Sequence, residues 1–121
     1  VENAAEMGRY LAENLREIAA NSTIIGDIRG KGLLMAAEIV ADKASRAMLP
    51  PAARAVYRLL ELGTELGLML YARKTSGGAY GEWLMIAPPL NITRAEADEL
   101  LALFVATIAA FERELRDAGL I

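Results

Sequence analysis

The chain has 121 residues, of which 55% are apolar, and a net charge of −3. It contains no Cys and no His, which excludes disulfides, thiolate nucleophiles, the usual zinc sites and the commonest general base. Lys and Arg are scattered, so no basic stripe predicts nucleic-acid binding. No apolar run approaches the roughly 18 residues of a membrane span. We therefore expect a single domain over residues 1–121, and the lack of Cys fits a cytoplasmic protein.

The first third of the chain predicts a helix followed by two strands. Residues 2–20 place apolar side chains at helical spacing between charged ones, which indicates an amphipathic helix. The β-branched run 23–29 and the apolar run 33–40 then predict two strands, joined by a tight turn at Gly30-Lys31-Gly32. Because Val1 stands directly inside the helical pattern, we expect the chain to be a fragment of a longer protein.

The rest of the chain repeats this pattern. Pro50 and Pro51 suit the first turn of a second helix, whose apolar spacing continues to Gly67. Residues 68–72 and 83–87 predict a hairpin around a glycine-rich loop at 74–81. Thr93 with Glu96 three positions later is a capping box, which predicts the start of a long final helix that Gly119 can end.

Together these elements predict a two-layer α+β domain in which three helices cover one face of a small antiparallel sheet. Two motifs, DIRGKGLL at 27–34 and APPLNIT at 87–93, resemble in order and spacing the small domain of class III pyridoxal-phosphate-dependent aminotransferases, which are fold type I enzymes. The stretch 70–83 further resembles the ω-amino acid:pyruvate transaminases of that family. The resemblance spans nearly the whole chain.

The resemblance implies a homodimeric enzyme that moves an amino group between an amine or ω-amino acid and a keto acid such as pyruvate. Its large domain would hold pyridoxal phosphate through a Schiff-base lysine, and this chain would close one side of the site. Lys31, Lys43 and Lys74 do not stand in the family's lysine context. We therefore expect no catalytic, cofactor-binding or metal-binding residue in this chain, and no transamination by the chain alone.

Substrate recognition in such enzymes commonly uses an arginine, because its planar fork matches the two oxygens of a carboxylate. Arg73, which would follow the predicted strand 68–72 and open the glycine-rich loop, is the leading candidate, and a solvated loop arginine is the alternative. Arg29 is a weaker candidate, since a strand-end arginine more often donates to backbone carbonyls. Some relatives carry the arginine two residues before APPL, where this chain has Met85.

Two aromatic residues and one turn leave alternatives open. Tyr71 and Trp83 could wall a substrate pocket, although aromatic residues on such strands usually belong to the core. Gly30-Lys31-Gly32 lacks the glycine spacing and the following Ser or Thr of a phosphate-binding loop.

The competing function is a stand-alone binding or dimerisation module without catalysis. A fragment of a larger enzyme would expose an apolar surface, and a complete module would not.

Overall fold

A computed structural model describes residues 2–74 and 81–121. These ranges contain three α-helices, four strands and one short 3₁₀ turn. In chain order they are α1 (Glu2–Asn21), β1 (Ile25–Lys31), β2 (Leu34–Ile39), the 3₁₀ turn (Pro51–Ala53), α2 (Ala55–Leu66), β3 (Tyr71–Lys74), β4 (Glu82–Ile86) and α3 (Arg94–Asp117).

The four strands form one antiparallel sheet in the order β1-β2-β4-β3. Both predicted hairpins are therefore present, and the long segment between β2 and β3 carries α2. Helix α1 packs on β1, α2 packs on β3 and β4, and α3 packs against both other helices. This confirms the predicted α+β fold with three helices on one face of the sheet.

Alternate strand residues point into the helix layer, as the two-residue period of a strand requires. Met35, Ala37 and Ile39 of β2 are buried beside Leu84 and Ile86 of β4. From the helices, the largest fully buried side chains are Leu11, Leu15, Leu59, Phe104 and Phe111. One continuous core thus lies between the sheet and the helices.

The turn between β1 and β2 lies two residues later than predicted. Gly30 and Lys31 extend β1, and the turn is formed by Gly32 and Leu33. Gly32 has a left-handed φ of 60°, which glycine adopts without steric cost. A Cβ on Gly8 of α1 would lie 2.7 Å from the Gly32 carbonyl carbon, so this glycine lets α1 approach the turn closely.

The two prolines start a 3₁₀ turn rather than the second α-helix. Pro51 occupies its first turn, and Arg54 then adopts a left-handed conformation with φ 48° before α2 begins at Ala55. The predicted helix is therefore shorter at its start. Its predicted end is confirmed, because Gly67 follows α2 with φ 93°.

Helix α3 begins and ends as predicted. The Thr93 hydroxyl accepts from the Glu96 amide at 3.2 Å, and the Glu96 carboxylate accepts from the Thr93 amide at 3.0 Å. The Thr93 amide and hydroxyl both donate to the Glu96 carboxylate at 3.0 Å, and these two hydrogen bonds lower the pKa of Glu96. Gly119, with φ 73°, follows the helix and donates its amide to the Arg116 carbonyl.

Polar side chains at both ends of α1 form hydrogen bonds with the last third of the chain. The Asn3 side-chain amide donates to the Ile92 carbonyl at 3.0 Å, just before α3. At the other end the Ser22 hydroxyl donates to Glu112 at 2.7 Å, within α3. These contacts fix α1 along the length of α3.

Candidate functional site on the open face of the sheet

The face of the sheet opposite the helices is covered by no helix or strand of the described chain. We call it the open face. Its side chains alternate with the core residues and are, from β1 to β3 in sheet order, Asp27, Arg29, Lys31, Leu34, Ala36, Glu38, Trp83, Met85, Tyr71 and Arg73.

Four of these residues form one row across all four strands. Asp27 pairs with Glu38, Glu38 pairs with Trp83, and Trp83 pairs with Arg73. Paired residues on the same face have Cβ atoms roughly 5 Å apart, so each side chain borders the next. The row places an indole between a carboxylate and a guanidinium.

Arg29 lies in the neighbouring row and reaches diagonally across β2. Its Nε donates to an Asp27 carboxylate oxygen at 2.7 Å, and its guanidinium carbon stands 5.3 Å from the centre of a Trp83 ring. Its strand partner on β2 is Ala36, whose small side chain leaves room for this path. Arg29 therefore binds a carboxylate and an indole of its own chain rather than backbone carbonyls.

A second ion pair neutralises Glu38. Arg46, which adopts a left-handed conformation with φ 61°, donates from Nη1 to Glu38 Oε1. The turn that carries Arg46 is fixed by Asp42, which accepts from the amide and hydroxyl of Ser45 at 2.9 and 2.7 Å. These hydrogen bonds lower the pKa of Asp42. Both acidic residues of the open face thus have a cationic partner.

Arg73 lies inside β3, not after it as predicted, and it is solvent exposed. Strand β3 starts at Tyr71, three residues later than predicted, and Leu68 and Leu70 ahead of it are buried in the core. Among the residues that the structure describes, no carboxylate pairs with Arg73. It is therefore the one arginine of the open face without a carboxylate from the described chain. Most of the predicted loop that follows, residues 75–80, lies outside the described residues.

The other end of the open face is apolar. Leu34 and Tyr71 are 54% and 52% exposed, and beyond the strands Met69 and Leu90 are 75% and 73% exposed. Tyr71 is therefore a surface residue and not part of the core, and Trp83 is only half-buried. Apolar side chains grouped in this way mark a surface that another segment or protein covers.

The structure describes the side chains of two of the three lysines of the chain. Lys31 is exposed at the end of the β1-β2 hairpin. The Lys43 ammonium donates to the Ala19 and Ser22 carbonyls at 2.7 and 3.0 Å, so it stabilises the end of α1. The side chain of Lys74 lies outside the described part.

Residues 2–74 and 81–121 contain neither a metal-binding cluster nor a membrane-spanning helix. No group of three or more acidic side chains is placed to hold a metal ion there. Nor is any helix in these ranges both long and apolar enough to cross a bilayer.

Comparison with known proteins identifies the family. Residues 1–108 match the family described as aminotransferase class-III. An uncharacterised aminotransferase of Schizosaccharomyces pombe is 40% identical over 111 residues, which cover 91% of this chain. A taurine–pyruvate aminotransferase of Rhodobacter capsulatus is 36% identical over 83% of the chain. The chain belongs to the class-III aminotransferase family.

Solved structures agree with this assignment. A transaminase from the marine bacterium Virgibacillus superposes with a TM-score of 0.87 at 25% identity over 94% of the chain. An (S)-enantioselective omega-transaminase from Thermomicrobium roseum gives a TM-score of 0.78 at 32% identity over 91% of the chain. The chain spans about a quarter of the length of these proteins, and 24% and 21% of the two curated relatives.

Proposed function

We propose that this chain is the small domain of a pyridoxal-phosphate-dependent transaminase, and that Arg73 binds the substrate carboxylate. The observation that carries the proposal is the exposed Arg73 guanidinium on the open face. Arg29 and Arg46 already neutralise the acidic residues of this face, whereas Arg73 has no carboxylate from the described chain. A guanidinium in this state can bind both oxygens of an amino or keto acid.

The reaction proposed for the parent protein is amino transfer between an amine or ω-amino acid and a keto acid such as pyruvate. Relatives named taurine–pyruvate aminotransferase and omega-transaminase support this substrate class. Pyridoxal phosphate supplies the electron sink for that chemistry when it is bound. Since the family resemblance puts the Schiff-base lysine in the large domain, and Lys43 is bound to backbone carbonyls, we place the cofactor in the large domain and propose that this chain alone is inactive.

The partner proposed for the open face is that large domain of the same polypeptide. Support comes from the exposed apolar side chains Leu34, Tyr71 and Leu90 and from the relatives, which are about four times as long. Docking would cover these residues and place Arg73 at the edge of a cleft. A homodimer and a cytoplasmic location are part of the same proposal. A complete stand-alone module is not expected to expose an apolar surface of this kind.

The first test compares the isolated chain with the full-length protein. Each is mixed with pyridoxal phosphate, an amine donor and pyruvate, and the cofactor absorbance and the turnover are measured. We expect a lysine-bound cofactor band and turnover from the full-length protein alone. Turnover by the isolated chain would refute the assignment of the catalytic groups to the large domain.

The second test replaces Arg73 in the full-length protein. Losing charged hydrogen bonds to a carboxylate is expected to raise KM for pyruvate by roughly 10- to 100-fold in Arg73→Ala. Arg73→Lys keeps the charge but not the planar fork, so it should recover only part of the loss. Arg113→Ala, an exposed arginine of α3 in the helix layer, is the matched control. An unchanged KM in Arg73→Ala would refute the carboxylate role.

A further inference from the structure

We propose that Trp83 is a positioning residue for Arg73, and that the Asp27–Arg29 pair holds the indole of Trp83 in place. This inference rests on the proposed role of Arg73 in carboxylate binding. The Asp27–Arg29 pair, Trp83 and Arg73 lie on three different strands, β1, β4 and β3, and their side chains share the open face. Trp83 contacts no substrate in this scheme and acts only through Arg73.

Trp83 is the direct strand partner of Arg73. The two residues pair in the β3-β4 ladder and point to the same face, so their Cβ atoms stand roughly 5 Å apart. The indole is therefore a wall along one side of the Arg73 side chain. On its other side β3 is the edge strand of the sheet, where the described chain places no neighbouring strand.

The indole itself is held by the Asp27–Arg29 pair. The Arg29 guanidinium lies over the ring at 5.3 Å from its centre, and Asp27 anchors Arg29 through the 2.7 Å ion pair. Gly81 borders the ring on a second side, where a Cβ would lie only 3.0 Å from Trp83 Nε1, so the ring occupies space that a side chain at 81 would need. The Arg29 contact therefore favours this orientation of the ring beside Arg73.

Two physical effects follow for Arg73. An arginine side chain loses rotamer entropy when it binds a ligand, and a fixed wall that removes some rotamers beforehand reduces this cost. In addition, an indole attracts guanidinium groups, but this ring already carries Arg29. Like-charge repulsion from Arg29 then keeps Arg73 from collapsing onto Trp83, so Arg73 stays available for a carboxylate.

The experiment measures steady-state kinetics of full-length variants with pyruvate and with an amine donor that has no carboxylate. Trp83→Leu removes the wall and should raise KM for pyruvate about fivefold, with kcat and KM for the amine unchanged. Trp83→Phe retains a ring and should recover most of the affinity. Arg29→Gln frees the indole and should raise KM for pyruvate in the same direction.

The decisive comparison places Trp83→Leu in the Arg73→Ala background. A residue that acts only through Arg73 has no further effect there, whereas an independent role adds its full cost. Additive effects, an equal rise in KM for the amine, or an unchanged KM in Trp83→Leu would each overturn the inference. If Arg73→Ala itself leaves KM for pyruvate unchanged, the proposed function fails as well, so the two failures are distinguishable.

Discussion

The close approach of α1 to the β1-β2 turn predicts that Gly8→Ala destabilises the chain. A helical glycine replaced by alanine normally stabilises a helix by up to about 1 kcal/mol. Here the new Cβ would lie 2.7 Å from the Gly32 carbonyl carbon and 3.1 Å from its Cα. Relaxed carbon–carbon contacts are about 3.5 to 4.0 Å, so the overlap is roughly 1 Å. Both partners are backbone, and no flexible side chain can move aside.

The magnitude follows from these two opposing effects. Overpacking of a rigid contact costs about 1 to 3 kcal/mol, and the upper end applies because α1 must shift as a body against the turn. After subtracting the gain in helix propensity, we expect a net loss of about 2 kcal/mol in the free energy of unfolding. Urea unfolding of the 121-residue chain, followed by circular dichroism, measures this loss as a lower midpoint at unchanged slope.

Two variants serve as controls. Glu6→Ala changes an exposed residue of the same helix and should alter stability by less than about 0.5 kcal/mol. Gly32→Ala meets no atom within 4 Å, so its cost, about 1 kcal/mol, comes from the left-handed φ alone. If Gly8→Ala were as stable as the original chain or more stable, the helix could not lie against the turn as described.

Two further predictions concern α3. Thr93→Ala removes the two hydrogen bonds of the hydroxyl, one from the Glu96 amide and one to the Glu96 carboxylate, while the amide at 93 is kept, and it should cost about 1 kcal/mol in urea unfolding. The Glu96 pKa is lowered in the folded state, so its contribution is present above the unfolded pKa and is lost as pH falls through the folded value. The penalty of Thr93→Ala should therefore shrink in acid. Phe104→Ala truncates a fully buried ring and should lower the free energy of unfolding by about 4 kcal/mol.

The matched control for Phe104 is its neighbour Val105, which is 46% exposed. Val105→Ala should stay within about 0.5 kcal/mol of the original stability, and an equal loss in both variants would contradict the burial pattern. Thr93→Ser keeps the hydroxyl and should retain the cap. A penalty for Thr93→Ala that is the same in acid and at neutral pH would contradict the Glu96 contact.

Local signals in the sequence predicted helices and caps well. The apolar spacing of α1, the capping box at Thr93 and the left-handed Gly119 each depend on residues a few positions apart. Strand limits were less accurate. Apolar residues such as Leu68 and Leu70 look like strand residues, but they are buried in the core before β3 begins. Burial and strand pairing produce the same local pattern, so sequence spacing does not separate them.

The contacts on the open face could not be predicted from the sequence for a different reason. That Arg29 meets Trp83 depends on the strand order β1-β2-β4-β3 and on the small Ala36 between them. This contact joins residues 54 positions apart, counted by their numbers, and no local pattern encodes it. Motif resemblance therefore pointed to the family and to two candidate arginines, Arg73 and the weaker Arg29, whereas the contacts around the Trp83 indole required coordinates.

The ties between α1 and α3 also determine when this domain can fold during synthesis. Asn3 and Ile92 are 89 positions apart, and Ser22 and Glu112 are 90 apart. A ribosome delivers the chain from its amino end, so α1 can meet β1 early but emerges long before α3 exists. The part of its apolar side that packs against α3 stays uncovered until nearly the whole segment has been made. Closing such distant contacts is intrinsically slow, and a messenger truncated before α3 would yield a product prone to aggregation.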